Sequence, residues 1–181
     1  MNYKIGDILF TKEQISARVV EIADEIRKDF IENHAGQELL VVGILKGSAI
    51  FIADLVRAIG KEIDVRLDFM VISSYGSDTK SSGVVRIIKD LDTYIENKNV
   101  IIVEDIIDTG LTMSYLLSIL QRRAPYSLKV CSLLNKEERR KVPVLIDFCG
   151  FEIPDKFVIG YGLDYSGKWR HLPDIRIAEP V

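Results

Sequence analysis

Apolar residues recur along this chain at two spacings, about 3.6 and 2, and the switches between them mark out its elements. Ile15, Val19, Ile22, Ile26 and Phe30 repeat at helical spacing behind Thr11-Lys12-Glu13-Gln14, which fits a capping box. That pattern predicts a helix to about Asn33. Glu38–Leu45 is an apolar run of strand length, and Lys46-Gly47 reads as the turn into a helix ending near Gly60. Ile63, Val65, Leu67, Phe69 and Val71 alternate as in a half-exposed strand. Gly76–Gly83, rich in Ser, Asp, Lys and Gly, is the most loop-like stretch, and Val84–Ile88 resumes as strand. The β-branched run Val100–Val103 suits a strand covered on both faces, as in a parallel sheet. From Thr112 to Arg123 the period is helical again, with Leu111, Tyr115, Leu116 and Ile119 on one face, and Pro125 supplies a stop. Ser127–Leu134, Leu145–Phe151, Phe157–Tyr161 and Ile175–Ala178 read as further strands. This alternation predicts an α/β fold of three layers around a mostly parallel sheet.

Composition narrows the class. The chain has 181 residues, 48% of them hydrophobic, enough for one ample core and a single domain over 1–181. A net charge of −3 argues against nucleic acid as the main partner. Charge or glycine interrupts each apolar stretch well short of a membrane span, and the first residues lack a signal peptide's apolar core. Cys131 and Cys149 lack CxxC spacing, so two reduced thiols in a cytoplasmic protein are expected ahead of one disulfide. His34 and His171 stand too far apart in sequence to suggest zinc.

The chemistry concentrates in residues 100–112, Val-Ile-Ile-Val-Glu-Asp-Ile-Ile-Asp-Thr-Gly-Leu-Thr. In open α/β sheets, ligands bind beyond the carboxyl ends of the strands, which is where Glu104, Asp105 and Asp108 fall. Asp108-Thr109-Gly110-Leu111-Thr112 offers backbone N–H groups, two hydroxyls and the positive end of a helix, a combination that suits a phosphate. Glu104 and Asp105 only accept hydrogen bonds when ionised, so they suit vicinal hydroxyls or a hard cation. On a regular strand the two would point to opposite faces, so both serve one ligand only if the strand bends or ends there. A phosphate pocket beside a diol pocket describes a 5-phosphoribosyl group. Asp-Thr-Gly also occurs in aspartic proteases, but those need two such aspartates on an all-β scaffold, and this chain has one, followed by a helical period.

That segment resembles the phosphoribosyl-pyrophosphate motif of type I phosphoribosyltransferases. From about Ile8 to Ile177 the chain is similar to the bacterial hypoxanthine (hypoxanthine-guanine) members of that family. The resemblance implies a small hood built from both chain ends. It implies that Leu45-Lys46-Gly47 contacts pyrophosphate and has a cis peptide before the lysine, and that Arg170 grips pyrophosphate as well. Ser73-Ser74-Tyr75-Gly76 would begin a lid that excludes water from an oxocarbenium-like state. Lys136 would recognise a 6-oxopurine, because a lysine only donates and finds no acceptor on a 6-amino group. Within Glu152–Tyr165, Phe157 is implied to stack on the purine, Val158 to meet its edge through main-chain groups, and Asp164, grouped with these purine-site residues, to ligate a magnesium shared with pyrophosphate. Glu104 and Asp105 would bind the ribose hydroxyls directly or through Mg²⁺, and Asp108 would be the general base.

The expected activity is transfer of the phosphoribosyl group from phosphoribosyl pyrophosphate to a 6-oxopurine, giving a nucleoside 5′-monophosphate and pyrophosphate. Hypoxanthine, guanine and xanthine differ at the 2-position and all remain open. Dimers and tetramers are both known in the family. A non-catalytic sensor of phosphoribosyl pyrophosphate would keep the same motif but would add a nucleic-acid-binding element, for which the sequence shows no basic patch.

Overall fold

The structure, a computed structural model, describes residues 3–74 and 85–181. Its elements in chain order are β1 (Tyr3–Phe10), α1 (Lys12–His34), β2 (Glu38–Leu45), α2 (Ala49–Ile59), β3 (Asp64–Ser74), β4 (Val85–Lys89), β5 (Asn99–Ile107), α3 (Leu111–Gln121), β6 (Ser127–Asn135), β7 (Phe148–Glu152), β8 (Val158–Ile159) and β9 (Ile175–Pro180). A single turn of 3₁₀ helix, Glu137–Arg139, follows β6. Six strands form the main sheet in the order β4-β3-β2-β5-β6-β7. All its pairings are parallel except that of the edge strand β4 with β3.

Strand alternation divides the interior into two apolar layers. Leu39, Val41, Ile101 and Val103 pack with α1 and α2 on one face of the sheet. Leu40, Val42, Val100 and Ile102 pack with Met113, Leu116 and Leu120 of α3 on the other. Three layers with a mostly parallel middle therefore follow from the apolar runs, as expected. The Thr11 side chain accepts from Gln14 N at 3.3 Å and Gln14 Oε1 accepts from Thr11 N at 2.9 Å, so the capping box is real.

The hood is a second sheet, β1-β9-β8, drawn from both chain ends. β1 has no counterpart among the strands read from the sequence. Its pairing with β9 shifts register between Ile5 and Ile8 and again between Ile8 and Phe10, so the apolar residues lose the period of two. Two further boundaries move for identifiable reasons. β7 starts at Phe148 rather than Leu145, because the Asp147 carboxylate takes the Val130 N–H at 2.8 Å in place of a ladder carbonyl. β8 stops at Ile159 because Gly160 and Tyr161 adopt φ of 94° and 48°, outside strand geometry. The predicted loop Gly76–Gly83 lies outside the described residues.

Replacing Thr11 by Ala removes the cap at the head of α1. The expected loss is about 1 kcal/mol, read as a fall of roughly 2–4 °C in Tm, with a smaller loss for Thr11→Ser.

Candidate active site

The carboxyl ends of the parallel strands place four chain segments at one sheet edge: Lys46-Gly47 after β2, Ser73-Ser74 closing β3, Glu104–Thr112 at the end of β5 and Lys136 after β6. In β5 the regular alternation breaks. Val103 belongs to the α1/α2 layer, yet Ile106, three residues on, packs against that same layer and Ile107 joins the opposite one. On β6 both Leu133 and Leu134 belong to the α1/α2 layer, so the neighbouring strand breaks step too. Ser132, directly opposite Glu104, is buried and donates its hydroxyl to Leu134 O at 2.7 Å. Side-chain alternation is thus broken around Glu104-Asp105 while the pairing of β5 with β6 keeps its register.

The consequences are electrostatic. Asp105 is buried, and Oε2 of Glu104 is shut off from solvent with no hydrogen-bond partner among the described residues. Burial pushes the Glu104 carboxyl well above its ordinary range, and the Asp105 charge and a hydrogen bond between the two add to the rise. Burial raises Asp105 as well, opposed by the bond with Glu104, the Ile106 N–H and the charge of Arg170. A cation or ligand hydroxyls at the pair would offset the cost of ionising it.

Gly47 packs straight onto this pair. A Cβ there would stand 1.7 Å from Asp105 Oδ2, and a Cβ on Gly162 would stand 2.1 Å from Gly47 O. Only glycines let the Lys46-Gly47 loop, Asp105 and the 160–164 segment converge. The Leu45-Lys46 peptide is cis, as the resemblance implies, and Lys46 is exposed. Asp164 pairs with Arg170 Nη2 at 2.5 Å and accepts from Gly167 N at 2.6 Å, while Arg170 Nη1 donates to Gly162 O at 2.6 Å. Glu104, Asp105 and Asp164 do not assemble into one cage: among the described residues, no three His, Cys, Asp or Glu side chains form a metal cluster.

At the head of α3, Gly110 adopts φ 79° and caps the helix through its backbone alone. Glu104, Asp108, Thr109, Gly110 and Thr112 help to line a cavity of about 140 Å³. Leu111 begins the helix. Asp108 Oδ1 is buried without a partner among the described residues, and Oδ2 stands 3.3 Å from Arg139. A larger cavity of about 560 Å³ lies between α1, α2 and residues 171–173 and is lined by none of the candidate residues.

Lys136 differs sharply from the charge run that follows it. It is only 5% exposed, whereas Glu137, Glu138 and Arg139 are exposed. Burial lowers its pKa, partly countered by Asp108 and by Asp155, whose Oδ1 is 3.8 Å away. A solvated-face reading of Lys136 is therefore excluded. Phe157 is no core aromatic: it is 41% exposed and packs beside Tyr3 of β1, ring centroids 5.1 Å apart, and beside Tyr165. Val158 is buried and pairs with Ile177. Ser73 and Ser74 are the last residues of β3, paired with β4, and Tyr75 and Gly76 lie outside the described residues.

Sequence reasoning missed two contributors. Tyr3 backs Phe157 from a strand whose irregular register hid it. Arg140 lies in the segment 137–144, where no motif or spacing points to a site, yet it donates to Asp108 O at 3.1 Å and to Ile107 O at 3.4 Å. No local signal could reveal a contact spanning more than 30 residues.

Comparison with known proteins agrees with this geometry. A model of the phosphoribosyl transferase domain matches residues 7–166. The hypoxanthine-guanine phosphoribosyltransferase of Mycobacterium avium is 49% identical over 178 residues, 97% of this chain and 87% of its own. That of Bacillus subtilis is 43% identical over 181 residues, 100% of this chain and 97% of its own. The crystal structure of a hypoxanthine-guanine phosphoribosyltransferase from Bacillus anthracis superposes with a TM-score of 0.89 at 45% identity, covering 96% of this chain and 99% of that one. By fold, by the edge at which its acids and glycines meet and by these likenesses, the chain belongs to the phosphoribosyl transferase domain family.

Proposed function

We propose that this protein carries out purine salvage by moving the 5-phosphoribosyl group of phosphoribosyl pyrophosphate onto a 6-oxopurine, hypoxanthine or guanine, to give IMP or GMP. The observation that carries the reading is that Glu104, next to the buried Asp105 and with its own Oε2 shut off from solvent, lines one cavity with Asp108, Thr109, Gly110 and Thr112 at the head of α3. Its relatives bear transferase names, which removes the support for a non-catalytic sensor.

In this reading the N–H groups and hydroxyls of Thr109–Thr112 hold the 5′-phosphate, and Glu104 and Asp105 face the ribose hydroxyls. Lys46, Gly47 and Arg170 face the pyrophosphate. Phe157 stacks on the base against the support of Tyr3, Val158 meets its edge through the main chain, and Lys136 donates to the 6-oxo oxygen. The bond from C1′ to the pyrophosphate oxygen breaks as that from C1′ to the purine nitrogen forms. Asp108, with one buried oxygen still unpartnered among the described residues, takes the proton that leaves the imidazole ring. Ser73 and Ser74, at the end of β3, would begin the cover that keeps water from C1′, the rest of which lies outside the described residues.

The acid pair fits a hard divalent cation, because two enclosed carboxylates with an orphan oxygen need compensating charge. Magnesium takes one or two carboxylates and fills its shell with water and substrate oxygens, so Glu104, Asp105 and Asp164 need not form a closed cage to hold it. When bound, it supplies neutralising charge to the leaving pyrophosphate. The free thiols Cys131 and Cys149 suit a cytoplasmic setting, and the family resemblance extends the reading to a homodimer or homotetramer.

Purified protein with Mg²⁺ and phosphoribosyl pyrophosphate, offered each purine base separately, tests the whole. Nucleotide from hypoxanthine and guanine is expected; nucleotide from adenine alone, or from no base, overturns it. Asp108→Asn should cut kcat by about 10²–10⁴-fold with near-normal binding of phosphoribosyl pyrophosphate. Retention of most turnover would remove Asp108 as the base. Lys136→Gln, which can both donate and accept, should lower kcat/KM for hypoxanthine by about 10–100-fold and narrow the gap to adenine.

Glu104→Gln carries a linkage prediction with a definite sign. The pair's proton affinity is raised on folding, so its stabilising contribution is full in acid and is lost as pH rises through the folded-state value. Near neutral pH the metal-free Gln variant should therefore melt higher than the parent, about 2–4 °C for each kcal/mol, while losing affinity for phosphoribosyl pyrophosphate with Mg²⁺. Calorimetric melting of metal-free protein between pH 5 and 8 checks it, and a lower Tm for the variant throughout would refute the buried-pair account.

A further inference from the structure

The segment after Lys136 crosses behind the phosphate-binding turn and takes up its carbonyl groups one by one. Arg140 donates from Nε to Asp108 O at 3.1 Å, and from Nη2 to Ile107 O at 3.4 Å and to the Asn135 side chain. Its Nη1 reaches Val144 O at 3.5 Å. The next two residues complete the set: Lys141 N and Val142 N both donate to Thr109 O, at 2.9 and 3.2 Å. The segment lies so close that a Cβ on Gly110 would meet Val142 O at 2.4 Å.

These bonds fix more than position. In a trans peptide the C=O and the following N–H point in opposite directions. Holding Asp108 O and Thr109 O toward the 140–142 segment turns the N–H groups of Thr109 and Gly110 the other way, toward the cavity that both residues line. Arg140 is not among the residues lining that cavity. An anion there is met by N–H groups already aimed, and spends little of its binding energy on ordering the turn.

We propose that Arg140 is a positioning residue for the phosphate turn, which it holds open for the 5′-phosphate by occupying the turn's carbonyls from behind. The proposal rests on the phosphoribosyl reading above. The side chain must be arginine, because its planar fork presents donors in several fixed directions at once, whereas a lysine offers a single point charge. The role is accordingly geometric rather than a matter of charge alone.

Two variants test it, Arg140→Met and Arg140→Lys, with separate KM values for phosphoribosyl pyrophosphate and hypoxanthine. The inhibition constant of ribose 5-phosphate, which carries the 5′-phosphate without the pyrophosphate, isolates the turn. In both variants the KM for phosphoribosyl pyrophosphate and the ribose 5-phosphate constant should rise about tenfold, with the KM for hypoxanthine within about twofold of the parent. Should Arg140→Met fail to fold, Arg140→Lys decides alone. Unchanged constants, a lysine variant equal to the parent, or a parallel rise in both KM values would each overturn the positioning role. A parent protein indifferent to ribose 5-phosphate would instead reject the phosphoribosyl reading itself.

Discussion

Two neighbouring carboxylates enclosed by protein each resist ionisation, through burial first and, for Glu104, through the charge of Asp105 as well, so a compensating group is favoured beside them. Around Glu104 and Asp105 the chain makes every local choice that such a pair demands. The side-chain alternation of β5 breaks across them, and Ser132 on the next strand satisfies Leu134 O. Gly47 approaches as bare backbone because Asp105 leaves no room for a Cβ, and Gly162 does the same for Gly47. The loop after β2, the end of β5 and the segment after β8 are therefore brought into contact by the space one carboxylate occupies.

Stability and function draw on different parts of the molecule. The two apolar layers on either side of the sheet are filled by Ile, Leu, Val and Phe and provide the favourable term. The site edge works against it, with Glu104 Oε2 and Asp108 Oδ1 buried and unpartnered among the described residues. An orphan polar atom is not by itself a site, since His34 Nδ1 shares that state while its ring packs between Phe30 and Tyr126. What separates the acids from the histidine is convergence: they stand beside a turn presenting N–H groups at a helix head, where one ligand with hydroxyls and a phosphate can satisfy all of them together.

The sequence made the sheet and its helices legible because their apolar periods are long and regular, as in Val100–Val103 or Ile15–Phe30. The motif turn was legible because its chemistry is compressed into five consecutive residues. β1 escaped because two register shifts break its alternation. The break in alternation around Glu104-Asp105 was not legible, since it shows only in which apolar layer Val103, Ile106 and Ile107 join. The burial of Lys136 against the exposure of Glu137–Arg139 is likewise a tertiary fact within a uniformly charged run. Arg140 was the least accessible of all. A surface-type residue in a charged run reaches a turn more than 30 positions away, and only its hydrogen bonds distinguish it from its neighbours.

The placement of Lys136 also explains why base discrimination should be uneven around the purine ring. Its buried ammonium has acids nearby, but Asp155 stands at 3.8 Å and Arg139 competes for both Asp155 and Asp108, at 3.8 and 3.3 Å. The charge is thus kept in place without being fully satisfied. An incoming 6-oxo group completes its hydrogen bonding, whereas a 6-amino group adds a donor against a donor in a partly desolvated site, so the penalty exceeds the mere loss of one bond. Stacking on Phe157, in the same reading, would contribute to every base alike. In the proposed reading, recognition at the 2-position would fall to main-chain groups near Val158, which are held by the pairing of β8 with β9 and by the Ala178 N–H bond to Phe157 O at 2.8 Å. A backbone edge offers both donors and acceptors, so it can meet a hydrogen or an amino group with modest preference. On the proposed function, selection at position 6 would therefore be strict and selection at position 2 permissive, as salvage of both hypoxanthine and guanine would require.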